Sequence, residues 1–155
     1  MEWTTLASTV VGAAIATFSG ALLDRRRWHR DRLDRGTEVR RVLYGEYLAR
    51  LSEARNACGR LARGTGLDAD ARRREAREAF EPCVGLRYQM TITAPGPVVE
   101  ASERVFRTLR DLRDTVADGA RADSDAYDAG RERYNDRLME LRAAMRKDLG
   151  ADAGV

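Results

Sequence analysis

The sequence predicts an all-α protein in which one N-terminal transmembrane helix continues into an antiparallel bundle of about four helices. Three observations predict it. Residues 3–23 carry no charged side chain, in a chain where charged residues make up 34%. Behind them, apolar residues recur at steps of three and four. Glycine or proline punctuates these stripes at intervals suited to short helix connections.

The N-terminal stretch WTTLASTVVGAAIATFSGALL has 21 residues, and at helical rise it measures about 31 Å, against a hydrocarbon core of about 30 Å. Alanine, glycine, serine and threonine dilute its apolar content, so its flanks carry much of the argument. Trp3 and Trp28 bracket it, about 37 Å apart on a helix, near the interfacial layers that tryptophan favours. Arg25, Arg26, Arg27 and Arg30 follow it directly, whereas Met1 and Glu2 precede it. Positive flanking charge stays on the cytoplasmic side, so the N-terminus is expected outside and the body inside the cell. The acidic residue at the front and the absence of a small-x-small cleavage site argue against a cleaved signal peptide. A helix buried inside a soluble bundle and a helix lying on the membrane surface are the other readings of the same run.

Charge distribution sharpens the picture. The chain has 28 basic and 25 acidic residues, a net charge of +3. Residues 24–41 hold eight arginines against four acidic residues, a local +4, which leaves 20 basic and 21 acidic residues elsewhere. The basic character is therefore a collar beside the span, suited to anionic lipid headgroups. A nucleic-acid binder would spread basic residues over its folded body to neutralise many phosphates, and this body is neutral. Lys147 is the single lysine. With alanine, aspartate and glycine also abundant, that bias fits a high-GC coding sequence, and arginine alone carries little chemical meaning here.

Within the span, Ser8, Gly12, Ala16 and Gly20 fall four residues apart. Such a ladder of small residues lets two helices approach closely in lipid, so this face is the candidate surface for homo-oligomer formation. An alanine- and glycine-rich helix also produces such ladders by composition alone.

Past the collar, where a bend is expected at Gly36, the first stripe is Tyr44, Tyr47, Leu51, Ala54, Cys58 and Leu61. Its three-four spacing is that of a coiled-coil seam or a core-facing helix. Gly64 and Gly66 end it, and Asp68 or Asp70 is placed to cap the next helix. That helix spans about 69–92, with Ala76, Phe80, Cys83 and Met90 inward. Pro82 stands inside it and is expected to kink it. Residues 86–92 alternate apolar and polar like a strand, but no second strand candidate exists to pair with them, so helix is preferred. The third stripe is Val98, Ser102, Val105, Leu109, Leu112 and Val116, with Pro97 in its first turn and Gly119 after it. The fourth is Tyr127, Tyr134, Leu138, Leu141, Met145 and Leu149, capped by Asp123 or Ser124 and stopped at Gly150. All five tyrosines are expected to face inward. The resulting division is a transmembrane helix over 1–23, a juxtamembrane helix over 24–41, a cytoplasmic bundle over 42–150 and a disordered tail over 151–155.

The tryptophan-led span, RRRWHRDR, RRVLYGEYLARL, TAPGPVVEA and AAMRKDLG together resemble a group of small uncharacterised actinobacterial membrane-anchored helical proteins. The resemblance covers most of the chain and implies an anchor plus a helical body, without an activity to carry over. Gly45 and Pro82 depart from the group's pattern.

Chemistry is sparse. The one histidine, His29, sits among arginines, which disfavour its charged form. The GTG at 64–66 lacks the remaining glycines and the lysine of a phosphate loop. Carboxylate pairs lie beside arginines at helical spacing and read as surface ion pairs. Cys58 and Cys83 have no metal-ligand spacing and read as small core residues of a reducing compartment. The expectation is a non-enzymatic, membrane-tethered interaction or scaffold module in the cell membrane, without catalytic, cofactor or metal residues. Its partners would be the lipid bilayer, a second copy and a cytoplasmic protein, with no nucleic acid. A membrane-perturbing holin-like or toxin-like effector and a soluble helical subunit of a larger assembly are the alternatives.

Overall fold

The computed structural model describes residues 35–151. The chain divides into two compact units, Met1–Val39 and Arg40–Val155. In the first, residues 35–39 are described and helical, Gly36 included. The second is an all-α bundle, with no strand among the described residues. In it α1 covers residues 40–63, followed by α2 (Ala69–Thr93), α3 (Gly96–Ala117) and α4 (Asp125–Asp148).

Each helix buries the stripe its spacing predicts, except that Leu149, the last residue of the fourth stripe, is half-buried just beyond its helix. On α1 the six expected residues are all buried, together with Leu43, Ala57 and Ala62. α1 ends at residue 63, and Gly66, at φ +102°, turns the loop that follows. Asp68 then caps α2, its Oδ1 accepting from the Ala71 amide at 2.8 Å. Of the two cap candidates, Asp68 is the one used.

α2 stays helical through Pro82, and its buried residues are Ala76, Phe80, Cys83 and Met90. The proline is on the exposed side, so the Glu78 carbonyl deprived of its amide partner is on the solvent side as well. Burial of Phe80 and Cys83 on the opposite side holds the flanking turns together. The alternation over 86–92 does not make a strand. Met90 is buried, whereas Tyr88 is 57% and Ile92 is 87% exposed. This corrects the inward placement of Tyr88: two residues from Met90 on a helix is about 200° of rotation, so both cannot enter the core.

α3 starts after Pro95, with Pro97 in its first turn, and buries Ala101 and Phe106 beyond the expected stripe. α4 is capped by Ser124, whose Oγ accepts from the Tyr127 amide at 3.3 Å. Asp125 and Asp128 in its first turn and Arg146 and Lys147 in its last both match the helix dipole.

Side-chain ties define the arrangement. The start of α1 meets the end of α4 at Tyr44 and Asp148, and the Ala122 amide, just before α4, donates to the Ala62 carbonyl near the end of α1 at 3.1 Å. α2 meets α3 at Phe80 and Phe106, and α3 meets α4 at Arg104 and Glu140. Sequential helices thus run antiparallel around one core, as short connections require. Among the buried residues of that core Ser102 is the polar one. Its hydroxyl donates back to the Val99 carbonyl at 2.7 Å, so it enters the interior satisfied.

Candidate functional site

The sequence-predicted site residues all lie outside the described residues. These are the interfacial anchors Trp3, Trp28, Arg25, Arg26, Arg27 and Arg30 and the small-residue face Ser8, Gly12, Ala16 and Gly20. The span over residues 3–23 and the histidine His29 lie outside them too. Among the described residues, no helix is long and apolar enough to cross a membrane.

Two polar clusters stand out, and sequence spacing found neither. At one end, Asp148 accepts at Oδ2 from the Tyr44 hydroxyl at 2.7 Å and from Arg40 Nε at 2.9 Å. Its side chain is only 14% exposed. Burial, and then the hydrogen bond to Asp148, push the Tyr44 hydroxyl well above the usual phenol range. A phenol held protonated against a carboxylate is a structural tie, not a nucleophile or base.

Along the α2–α3 seam lies the second cluster. The Arg87 guanidinium is ion-paired with Glu103 and sits 4.7 Å from the ring centroids of both Tyr88 and Phe106. Phe106 packs on Phe80, with centroids 4.7 Å apart and tilted by 48°. Phe80 in turn carries Arg113 at 4.6 Å, and Arg113 pairs with Asp114 at 2.7 Å. Guanidinium planes on ring faces gain from the ring quadrupole while their charge remains paired at the surface. Phe106, adjacent to Val105 of the stripe, was the one hint of this seam in the sequence.

Shallow grooves open on the surface of the described residues, three of which bear on the bundle's chemistry. One, of about 410 Å³, lies between α1 and α2 and is lined by Glu46, Ala49, Arg50, Glu53, Pro82 and Leu86. Another of about 300 Å³ lies further along the same pair of helices, beside Leu61 and Ala79. The third, of about 350 Å³ between α2 and α3, mixes Arg73, Arg77 and Arg113 with Asp114 and Asp118. None is lined by a cysteine or histidine. Among the described residues, no three His, Cys, Asp or Glu side chains converge as metal ligands would.

The remaining titratable groups of the interior are blunted by burial. Cys58 and Cys83 are buried and free, and burial pushes both thiols up to about 11. Tyr134 is pushed up to about 12 for the same reason, with its hydroxyl buried and without a hydrogen-bond partner. The Tyr47 hydroxyl donates to the Ser102 carbonyl at 3.3 Å and is likewise raised by desolvation. Such groups stay neutral at physiological pH and fill space.

No protein-family model matches the chain, and neither the curated proteins nor the solved structures contain a match.

Proposed function

We propose that this protein is a non-enzymatic, membrane-tethered interaction module. The span over residues 3–23 anchors it in the cell membrane, and the helical bundle projects into the cytoplasm as a scaffold for a protein partner. One observation carries the reading: the uncharged run of 21 residues adjoins a collar that holds a net +4 while the rest of the chain carries −1. An anchor with the positive-inside signature and a neutral body is economically explained by localisation. Within the bundle, Asp148 and Glu103 serve as ties between helices and Tyr44 is held protonated, which supports a structural role for these three groups. The face of Ser8, Gly12, Ala16 and Gly20 is the surface for self-association within the bilayer, and the collar is the contact for anionic lipid. The resemblance to membrane-anchored actinobacterial helical proteins points the same way.

Alkaline carbonate extraction of membranes from cells expressing the full chain tests the anchor. The protein is expected in the pellet, and release into the supernatant would refute a spanning helix. Affinity purification from detergent extracts tests the scaffold role, with a reproducible partner or a second copy as the expected result. Expression of residues 1–35 alone separates tethering from membrane lesion. The tether predicts unchanged membrane potential, and depolarisation would assign the protein to the holin-like class.

A further inference from the structure

One end of the bundle departs from the rest in chemistry. Residues 88–99 form a run of twelve without a charged side chain, the longest among the described residues of a chain that is 34% charged. The run spans the last turns of α2, the turn with Pro95 and Pro97, and the first turn of α3. Its interior is accounted for by Met90 and Val98, which are buried. Its exterior is not: Ile92 is the most exposed large apolar residue described, at 87%, and Tyr88 lies one turn away at 57%. Both prolines are exposed beside them.

The location of this end follows from contacts already described. Tyr47 of α1 reaches Ser102 of α3, Arg87 of α2 pairs with Glu103 of α3, and Tyr44 pairs with the end of α4. The uncharged run therefore lies at the end of the bundle where α1 begins. Seventeen residues lead from Leu23 to Arg40, so on the membrane-tethered reading the tether between span and bundle is short.

We propose that this end of the bundle is a membrane-surface contact, with Ile92 seated in the interfacial layer of an anionic bilayer. The inference rests on the membrane-tethered reading for its proximity to lipid. Three features select lipid as the occupant. Ile92 and Tyr88, flanked by two exposed prolines, make a small uncharged tip rather than a broad apolar face. An aliphatic tip with a tyrosine beside it suits shallow insertion, because the tyrosine places its ring at headgroup level. Across residues 40–47, 87–103 and 141–149, six basic residues stand against four acidic ones, a net +2 that complements anionic lipid.

The test uses the full chain with Ile92→Cys, labelled with an environment-sensitive fluorophore and bound to vesicles of phosphatidylglycerol and phosphatidylcholine. Thr65→Cys, exposed in the turn after α1 at the opposite end, is the comparison. Cys58 and Cys83 are buried, and the unsubstituted chain controls for labelling at them. The expected result is a blue shift at position 92, quenched by nitroxide placed shallowly in the lipid, with no change at position 65. An aqueous signal at 92 in protein that floats with vesicles and resists carbonate overturns the contact and leaves the tether standing. A quenched blue shift at 92 in protein that carbonate releases supports the contact and refutes the span. A shift at both positions, or one that grows with protein concentration and escapes the lipid quencher, overturns the contact in favour of adsorption or a second copy.

Discussion

Tyr44 donates a 2.7 Å hydrogen bond to Asp148 across 104 residues of sequence, joining the first helix of the bundle to the last turn of the fourth. The Asp148 side chain is 14% exposed and accepts from Arg40 on the same oxygen. A charged acceptor in such a place makes the bond stronger than a neutral pair.

Removing the hydroxyl with Tyr44→Phe keeps the ring in the core and deletes only that bond. The expected loss is about 1–2 kcal/mol, the range for a hydrogen bond to a charged group with partial solvent access. Equilibrium denaturation of the full chain in detergent, followed by circular dichroism, measures it. Asp148→Asn should cost a similar amount, and the double variant should cost less than the sum, because both changes remove one interaction.

Arg87 is the hinge of the α2–α3 seam, with Glu103 on one side and two aromatic faces on the other. Arg87→Lys retains the charge but loses the planar stacking, so a destabilisation of about 1 kcal/mol is expected. Glu103→Gln should cost less, since its side chain is 34% exposed and solvent screens the pair. A larger loss for Glu103→Gln than for Arg87→Lys would show that the ion pair, rather than the stacking, dominates.

Two glycines inside helices should respond with opposite signs. A Cβ at Gly130 meets Leu112 Cδ1 at 3.0 Å, and Leu112 is 1% exposed with little room to give. Gly130→Ala is therefore expected to destabilise by about 1–2 kcal/mol despite the better helix propensity of alanine. At Gly45 nothing lies within 4 Å, so Gly45→Ala should stabilise by about 0.5–1 kcal/mol. Thermal unfolding of the two variants beside the parent chain gives the comparison.

The contrast between these glycines shows where sequence reading reaches and where it stops. Stripes such as Tyr44, Tyr47, Leu51, Ala54, Cys58 and Leu61 are legible because each helix must bury one face, and spacing alone states which. The cap at Asp68 and the stop before Gly119 are legible for similarly local reasons. Gly130 against Leu112 is not, because it depends on how deeply two helices approach. The Tyr44–Asp148 tie depends on register between the ends of the bundle, and so it too is invisible to spacing. Tyr88 faces solvent because its angle to the buried Met90, not its aromatic character, sets its side of α2. α2 is continuous through Pro82, which spacing alone left open, and the buried neighbours Phe80 and Cys83 flank it. The predicted membrane anchors and association face belong to residues 3–30, outside the described part, so the bundle bears on them only through its own chemistry.

Stability at alkaline pH should report the two buried thiols. Cys58 and Cys83 are raised by burial from an ordinary value of 9.0 to about 11 in the folded chain. Between those values the unfolded chain has released its thiol protons while the folded chain still holds them. The unfolded state then binds fewer protons, so stability must fall as pH rises. The contribution is fully present below pH 9 and is lost progressively towards pH 11, by about 2–3 kcal/mol per thiol at most. Tyr134, raised to about 12, extends the same decline upward. Denaturation midpoints measured between pH 8 and pH 11 should therefore drop in the parent chain. Cys58→Ala with Cys83→Ala should flatten the lower part of that slope, although the double variant begins from lower stability because it leaves small voids in the core. An unchanged slope in the double variant would place the alkaline sensitivity on the tyrosines alone.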